Sequence, residues 1–207
     1  MIKFVYFDVG GVLIRDFSKS NKWNDLAREI GILEEKEKDF LNFWKSYEQK
    51  VSTGLNVDLL VPIIKKEFSS NFPKNYSLLK DGFVSRFDQN KTIWPLVKEL
   101  KKTYKVGLLT NQYPDMFKAI EKKGLIPDIP WDVIVDSTIV KLRKPEIKIF
   151  KLAEKLANVK GTEIFYVENS QEHIDAAKTI GWQTFLYDPA DTQKSTQELA
   201  DKLKISF

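Results

Sequence analysis

Four short groups of residues in this chain could do chemistry together. The first is Asp8, which ends the apolar run Phe4-Val5-Tyr6-Phe7 and is followed by Val9 and the pair Gly10-Gly11. A carboxylate can attack phosphorus or an alkyl carbon and form a covalent intermediate, splitting one hard step into two. Gly10 and Gly11 lack Cβ atoms, so the backbone there can approach a ligand closely. The second group, Thr110-Asn111, ends the apolar stretch 105–109. A hydroxyl and the next backbone N–H can hold a phosphoryl oxygen, while Asn111 can orient the substrate or a neighbouring loop. The third is Lys144-Pro145-Glu146. An ammonium brought to carboxylates and a phosphoryl group offsets their repulsion and stabilises developing negative charge. Lys141 or Arg143, close by, reads as a solvated surface charge. The fourth is Glu168-Asn169-Ser170, after the apolar run 163–167.

These groups need elements to position them. A buried strand that stops at an acidic residue puts its carboxylate at the carboxyl edge of a sheet, where α/β proteins keep their ligands. Residues 1–14 and roughly 92–207 alternate short apolar strands with helical patterns, the mark of parallel βα units and an α/β fold. Strands are expected at 2–8, 105–109, 132–135, 163–167 and 182–187. Helices are expected near 92–103, 113–123, 146–157, 171–180 and 191–203, with Pro95 in a first turn and Pro145 able to start a helix. The helix at 113–123 would aim the positive end of its dipole at Thr110-Asn111. Residues 16–90 read differently, with apolar residues at helical spacing: Trp23, Leu26, Ala27 and Ile30; Phe40, Phe43, Trp44 and Tyr47; Leu59, Leu60, Ile63 and Ile64. Breakers at Gly31, Gly54 and Pro73 divide this region into about four helices.

Taken in order, the four groups resemble the motifs of the haloacid dehalogenase-like hydrolase superfamily, and in particular its phosphatase-like members with a helical C1-type cap. The resemblance implies a Rossmann-like core with a central parallel sheet, formed by 1–15 and 91–207, and an all-helical cap, 16–90, inserted after the first strand. It implies that Asp8 is the nucleophile and carries an aspartyl-phosphate, with Lys144 as the second catalytic residue. Gly10, Gly11, Thr110 and Asn111 would bind substrate, and Asp8, the Gly10 carbonyl and Glu168 would hold Mg2+. Two positions depart from the pattern. Gly10 stands where family phosphatases usually carry a second aspartate, which protonates the leaving group and later activates water. Glu168-Asn169 replaces a common pair of aspartates. Without a surrogate acid, substrates with good leaving groups should suffer least, among them anomeric sugar, acyl and aryl phosphates. Asp16 is an acidic candidate nearby, and reads as a solvated residue or a cap. His173, the only histidine, reads as a surface or packing residue, and one histidine excludes a two-histidine metal site.

The expected function is therefore a magnesium-dependent phosphohydrolase acting on a small phosphorylated metabolite. One alternative is a 2-haloacid dehalogenase, which also uses a nucleophilic aspartate but needs no metal. Another is a catalytically degenerate relative that serves as a binding or interaction protein. The hydrophobic content, 43% of the 207 residues, is enough for a proper core. Cysteine is absent, which excludes disulfides, thiolate metal sites and cysteine nucleophiles. No stretch is long and apolar enough to span a membrane. The N-terminus enters a strand pattern almost at once, so no signal peptide is expected and a cytoplasmic location is the default. The net charge of +4 comes from 33 basic and 29 acidic residues, interleaved as in Lys98-Glu99-Leu100-Lys101-Lys102. That pattern marks solvated helix faces rather than a nucleic-acid surface, although a mild positive field helps recruit a phosphorylated substrate.

Overall fold

The computed structural model describes residues 1–207. Five strands form one parallel sheet: β1 (Phe4–Phe7), β4 (Lys105–Thr110), β5 (Val133–Asp136), β6 (Ile164–Glu168) and β7 (Gln183–Leu186). Their order is β5-β4-β1-β6-β7, so β1 lies in the middle, where the order of strands reverses direction. Every residue of β1 is buried, as expected of a parallel strand covered on both faces. The two-residue period of a strand assigns alternate side chains to opposite faces. Val5 and Phe7 accordingly join the larger core, shared with the helical insertion, while Phe4 and Tyr6 join the smaller one.

Helices cover both faces of the sheet: α4 (Trp94–Thr103), α5 (Met116–Lys122), α6 (Ser137–Val140), α7 (Ile147–Ala157), α8 (Gln171–Thr179) and α9 (Thr192–Leu203). The α7 helix buries Ile149, Phe150, Ala153 and Ala157, a stripe at helical spacing. Two expected helices begin later than their sequence pattern suggests. The α5 helix starts at Met116 rather than at residue 113 and has seven residues, so its N-terminus stands further along the chain from Thr110 than the pattern suggests. Pro145, joined to Lys144 by a cis peptide, precedes α7 rather than starting it. The short α6 helix went unread in the sequence, because four residues carry too little periodicity.

The insertion leaves through β2 (Ile14–Arg15) and returns through β3 (Asp88–Gln89), which pair antiparallel and form a two-stranded neck. Between them lie α1 (Lys22–Glu29), α2 (Glu37–Ser52) and α3 (Val61–Phe68). A π-helical turn, Leu78–Phe83, takes the place of the fourth helix expected there. The α2 helix buries Phe40, Phe43 and Trp44, and the rings of Trp23, Trp44 and Phe83 pack tilted or edge to face around them. Leu59 and Ile63, counted above among apolar positions, face outward, and only Leu60 and Ile64 of that group are buried. No helix is long and apolar enough to cross a membrane.

Candidate active site

Parallel register builds the site. Phe7 is aligned with Leu108 on one side and with Val167 on the other, so the residues that follow reach the same sheet edge together. Asp8 and Glu168 are thereby brought side by side, with Asp8 N–H donating to the Val167 carbonyl at 2.9 Å. Lys144 arrives from the loop before α7 and is completely buried. Its Nζ lies 3.0 Å from Asp8 Oδ1, 2.6 Å from Glu168 Oε2 and 2.9 Å from the Tyr166 hydroxyl. Three protons meet three acceptors, which fixes the ammonium between the two carboxylates. Asn111 steadies the lysine's backbone: its side chain accepts from Lys144 N–H at 2.9 Å and donates to the Lys144 carbonyl at 3.0 Å.

Glu168 is the most heavily bonded carboxylate in the molecule. Oε1 accepts from the backbone N–H groups of Asn169 and Ser170 at 2.9 and 3.0 Å. Oε2 accepts from Lys144, from the Tyr166 hydroxyl in a short bond, and from His173 Nδ1 at 3.0 Å. Tyr166 reaches it because residues two apart on a strand share a face. The Asn169 amide is satisfied with its nitrogen toward Glu168 Oε1 (2.8 Å) and the Gly10 carbonyl (3.3 Å), and its oxygen accepting from Ser18 Oγ (3.0 Å). Gly11 makes this approach possible: it has φ of +70°, and a Cβ there would lie 2.7 Å from Asn169 Cγ.

The electrostatics follow from this sharing. Burial opposes the charge on Glu168, but Lys144 and His173 outweigh it and hold the carboxyl well below its ordinary range. Burial and the neighbouring Glu168 charge push Asp8 upward, against the pull of Lys144. Burial alone would lower Lys144, yet the two carboxylates raise it, so it stays an ammonium. Tyr166 is raised far up by burial and by Glu168, and remains a donor.

A cleft of about 520 Å³ opens between this edge and the helical insertion. Asp8, Gly10, Asn111 and Glu168 line it from the sheet, and Trp23, Glu48 and Phe83 line it from the insertion. The Asp8 carboxylate uses Oδ1 for Val9 N–H (2.8 Å) and Lys144, leaving Oδ2 without a protein partner. Three contacts join insertion and sheet around the cleft. Trp44 Nε1 donates to the Tyr113 hydroxyl at 3.1 Å, Ser137 Oγ to the Ser52 carbonyl at 2.6 Å, and Arg143 to Glu48 at 3.2 Å.

Several sequence expectations change here. Thr110 is fully buried, accepts from Gln112 Nε2 at 2.9 Å and does not line the cleft, so its hydroxyl braces Gln112 instead of facing a ligand. Gly11 lies behind the cleft wall and serves by admitting Asn169. Glu168 lines the cleft, but both its oxygens are committed to protein donors, so direct metal ligation would require those bonds to be exchanged. Arg143 lines the cleft rather than the open surface. His173 contacts the site through Glu168. Asp16, read as a solvated residue or a cap, does accept from Ser18 N–H, but it also points into the cleft beside Gly10, and burial raises its carboxyl in spite of that bond. Tyr166 was detectable in sequence, since it stands two residues before Glu168 on one strand. Asp16 stood out in sequence as a nearby acid, but its orientation and that of Arg143 were not legible, because both depend on the insertion.

The fold has known counterparts. A predicted HAD-like family hydrolase from Porphyromonas gingivalis superposes with a TM-score of 0.77 at 17% identity, covering 100% of both chains. A HAD family enzyme from Bacteroides thetaiotaomicron, in complex with magnesium and inorganic phosphate, gives 0.71 at 21% identity over 90% of this chain and 94% of that one. The L-2-haloacid dehalogenase from Xanthobacter autotrophicus gives 0.63 at 17% identity, covering 90% and 78%. No curated protein sequence matches the chain. The family model for haloacid dehalogenase-like hydrolases matches residues 2–181, and the chain belongs to that family.

Proposed function

We propose that the protein is a magnesium-dependent phosphohydrolase of a small phosphorylated metabolite, acting through an aspartyl-phosphate on Asp8, with residues 16–90 as the substrate-selecting cap. The observation that carries this reading is the charge of the cleft. Asp8, Asp16, Glu48, Glu168 and Glu172 line it, against a single guanidinium, Arg143, with the Lys144 ammonium behind Asp8. An anionic substrate entering so acidic a cleft needs a cation to accompany it. A metal-free dehalogenase would have to bind a free carboxylate against the same charges, which argues for the phosphatase reading. The magnesium complex of the Bacteroides enzyme on the same fold supports it too.

The donors suit magnesium, which takes oxygen ligands and keeps several waters. Asp8 Oδ2 and the Gly10 carbonyl would hold it directly, and Glu168 would contribute its charge from the adjoining wall. Bound there, the ion would neutralise phosphoryl oxygens. Asp8 attacks phosphorus in line with the leaving oxygen. Lys144 keeps Asp8 Oδ1 oriented and offsets the charge that gathers on the phosphoryl group. Water then releases phosphate from Asp8. Arg143 and Gln112 also line the cleft, where a guanidinium and a side-chain amide would meet the remainder of the substrate.

The test is to assay phosphate release from p-nitrophenyl phosphate with and without magnesium, beside halide release from a 2-haloacid without metal. Magnesium-dependent phosphate release with no halide release is expected. Metal-independent halide release would replace this reading by the dehalogenase one.

A further inference from the structure

An alkoxide leaving group needs a proton, and the water that later attacks phosphorus must lose one. Asp8, Lys144, Glu168 and Glu48 are not free to move either proton. Asp8 is the nucleophile, Lys144 has its three protons committed, and Glu168 accepts at both oxygens. Glu48 is engaged by Arg143. Two carboxyls of the cleft remain, Glu172 and Asp16, and Asp16 is the one that stands where a side chain at position 10 would extend. A Cβ built on Gly10 would overlap Asp16 Oδ2, with Asp16 Cγ 3.2 Å away. The Asp16 carboxylate therefore fills the volume into which a residue-10 side chain would extend.

This placement is built. Asp16 follows β2 directly, in the neck pinned by the pairing of Arg15 with Asp88. Next to it Phe17 is buried, with its ring 4.7 Å from that of Trp23 and 5.3 Å from that of Phe83. Ser18 N–H donates to Asp16 Oδ1 at 2.9 Å, which leaves Oδ2 turned toward Gly10. Asp16 lines the same cleft as Asp8. Gly10 itself does not have positive φ, so its backbone would accept a side chain, and it is the Asp16 carboxylate that excludes one.

We propose that Asp16 is the acid and base of the reaction assigned to Asp8 above, an inference that rests on that phosphohydrolase reading. In the first step an Asp8 oxygen bonds to phosphorus, the bond from phosphorus to the leaving oxygen breaks, and the Asp16 proton passes to that oxygen. In the second step water bonds to phosphorus, its proton returns to Asp16, and the Asp8–phosphorus bond breaks. The protein ends as it began, and the carboxyl missing from position 10 is supplied from six residues further along the chain.

The experiment compares Asp16→Asn with the wild type on an aryl phosphate and on an alkyl phosphate, both with magnesium. Asparagine keeps an acceptor for Ser18 N–H, so the neck is preserved. The expected loss of kcat/KM on the alkyl phosphate is about 10²- to 10⁴-fold, the usual contribution of a general acid. The loss on the aryl phosphate should be much smaller, and its release should show a burst of one equivalent per enzyme before a slow steady state. Moving the carboxylate back, as Gly10→Asp with Asp16→Gly, should restore alkyl phosphate turnover. An equal loss on both substrates without a burst, or no loss at all, would overturn the role of Asp16 while leaving the phosphohydrolase reading intact. Absence of magnesium-dependent turnover in the wild type would overturn both together.

Discussion

At the scale of single residues, the site is a study in how one lysine makes two buried carboxylates tolerable. Lys144 is fully buried between Asp8 and Glu168, and each partner is within 3.0 Å. Removing one member of a buried charge network leaves the others uncompensated and costs about 3–5 kcal/mol. Lys144→Met should therefore destabilise the protein by about that amount in urea titration, besides losing turnover. A variant as stable as the wild type would mean that Asp8 or Glu168 is protonated in the folded protein. Much of this network was legible in the sequence, because Asp8, Lys144 and Glu168 each sit in a short motif at a strand or loop end. The exact duties were less legible. Thr110 and Glu168 both carry the right chemistry for a ligand, yet Thr110 is turned to Gln112, and Glu168 is saturated by neighbours that lie 1, 2, 5 and 24 residues away in the chain.

At the scale of elements, continuous apolar runs announced the five strands of the sheet, and stripes at helical spacing announced α4, α7, α8 and α9. Short elements escaped for a physical reason: β2, β3 and α6 have two to four residues each, fewer than a period needs to show itself. One ion pair ties three elements together. Asp132, just before β5, accepts from Lys101 Nζ of α4 at 2.5 Å and from Val106 N–H of β4 at 2.7 Å. Partial burial tends to raise its carboxyl, but Lys101 and Val106 overcome this and hold it below the ordinary value. A depressed folded value means that this stabilisation is complete above the unfolded carboxyl's range, near about 4. It is then lost as pH falls through the lower folded value. Asp132→Asn should flatten that part of the acid limb when stability is followed by denaturant titration from neutral to acidic pH. An unchanged acid limb would show that the pair is too screened to matter.

At the scale of the whole molecule, topology and charge converge on one place. The strand order reverses beside β1, the helical insertion closes over the same edge, and the acidic residues of both units face the cleft between them. The insertion was recognisable as helical from its spacing, but its inner wall was not. Asp16, Trp23 and Glu48 reach the cleft only because the β2–β3 neck and the aromatic cluster fix how the helices stand on the sheet. If this architecture serves attack by Asp8, turnover of p-nitrophenyl phosphate by the wild type and by Asp8→Asn, each with and without magnesium, will show it. Turnover should require magnesium in the wild type and be abolished in the variant at every metal concentration. Equal turnover by Asp8→Asn, or turnover indifferent to magnesium, would contradict it.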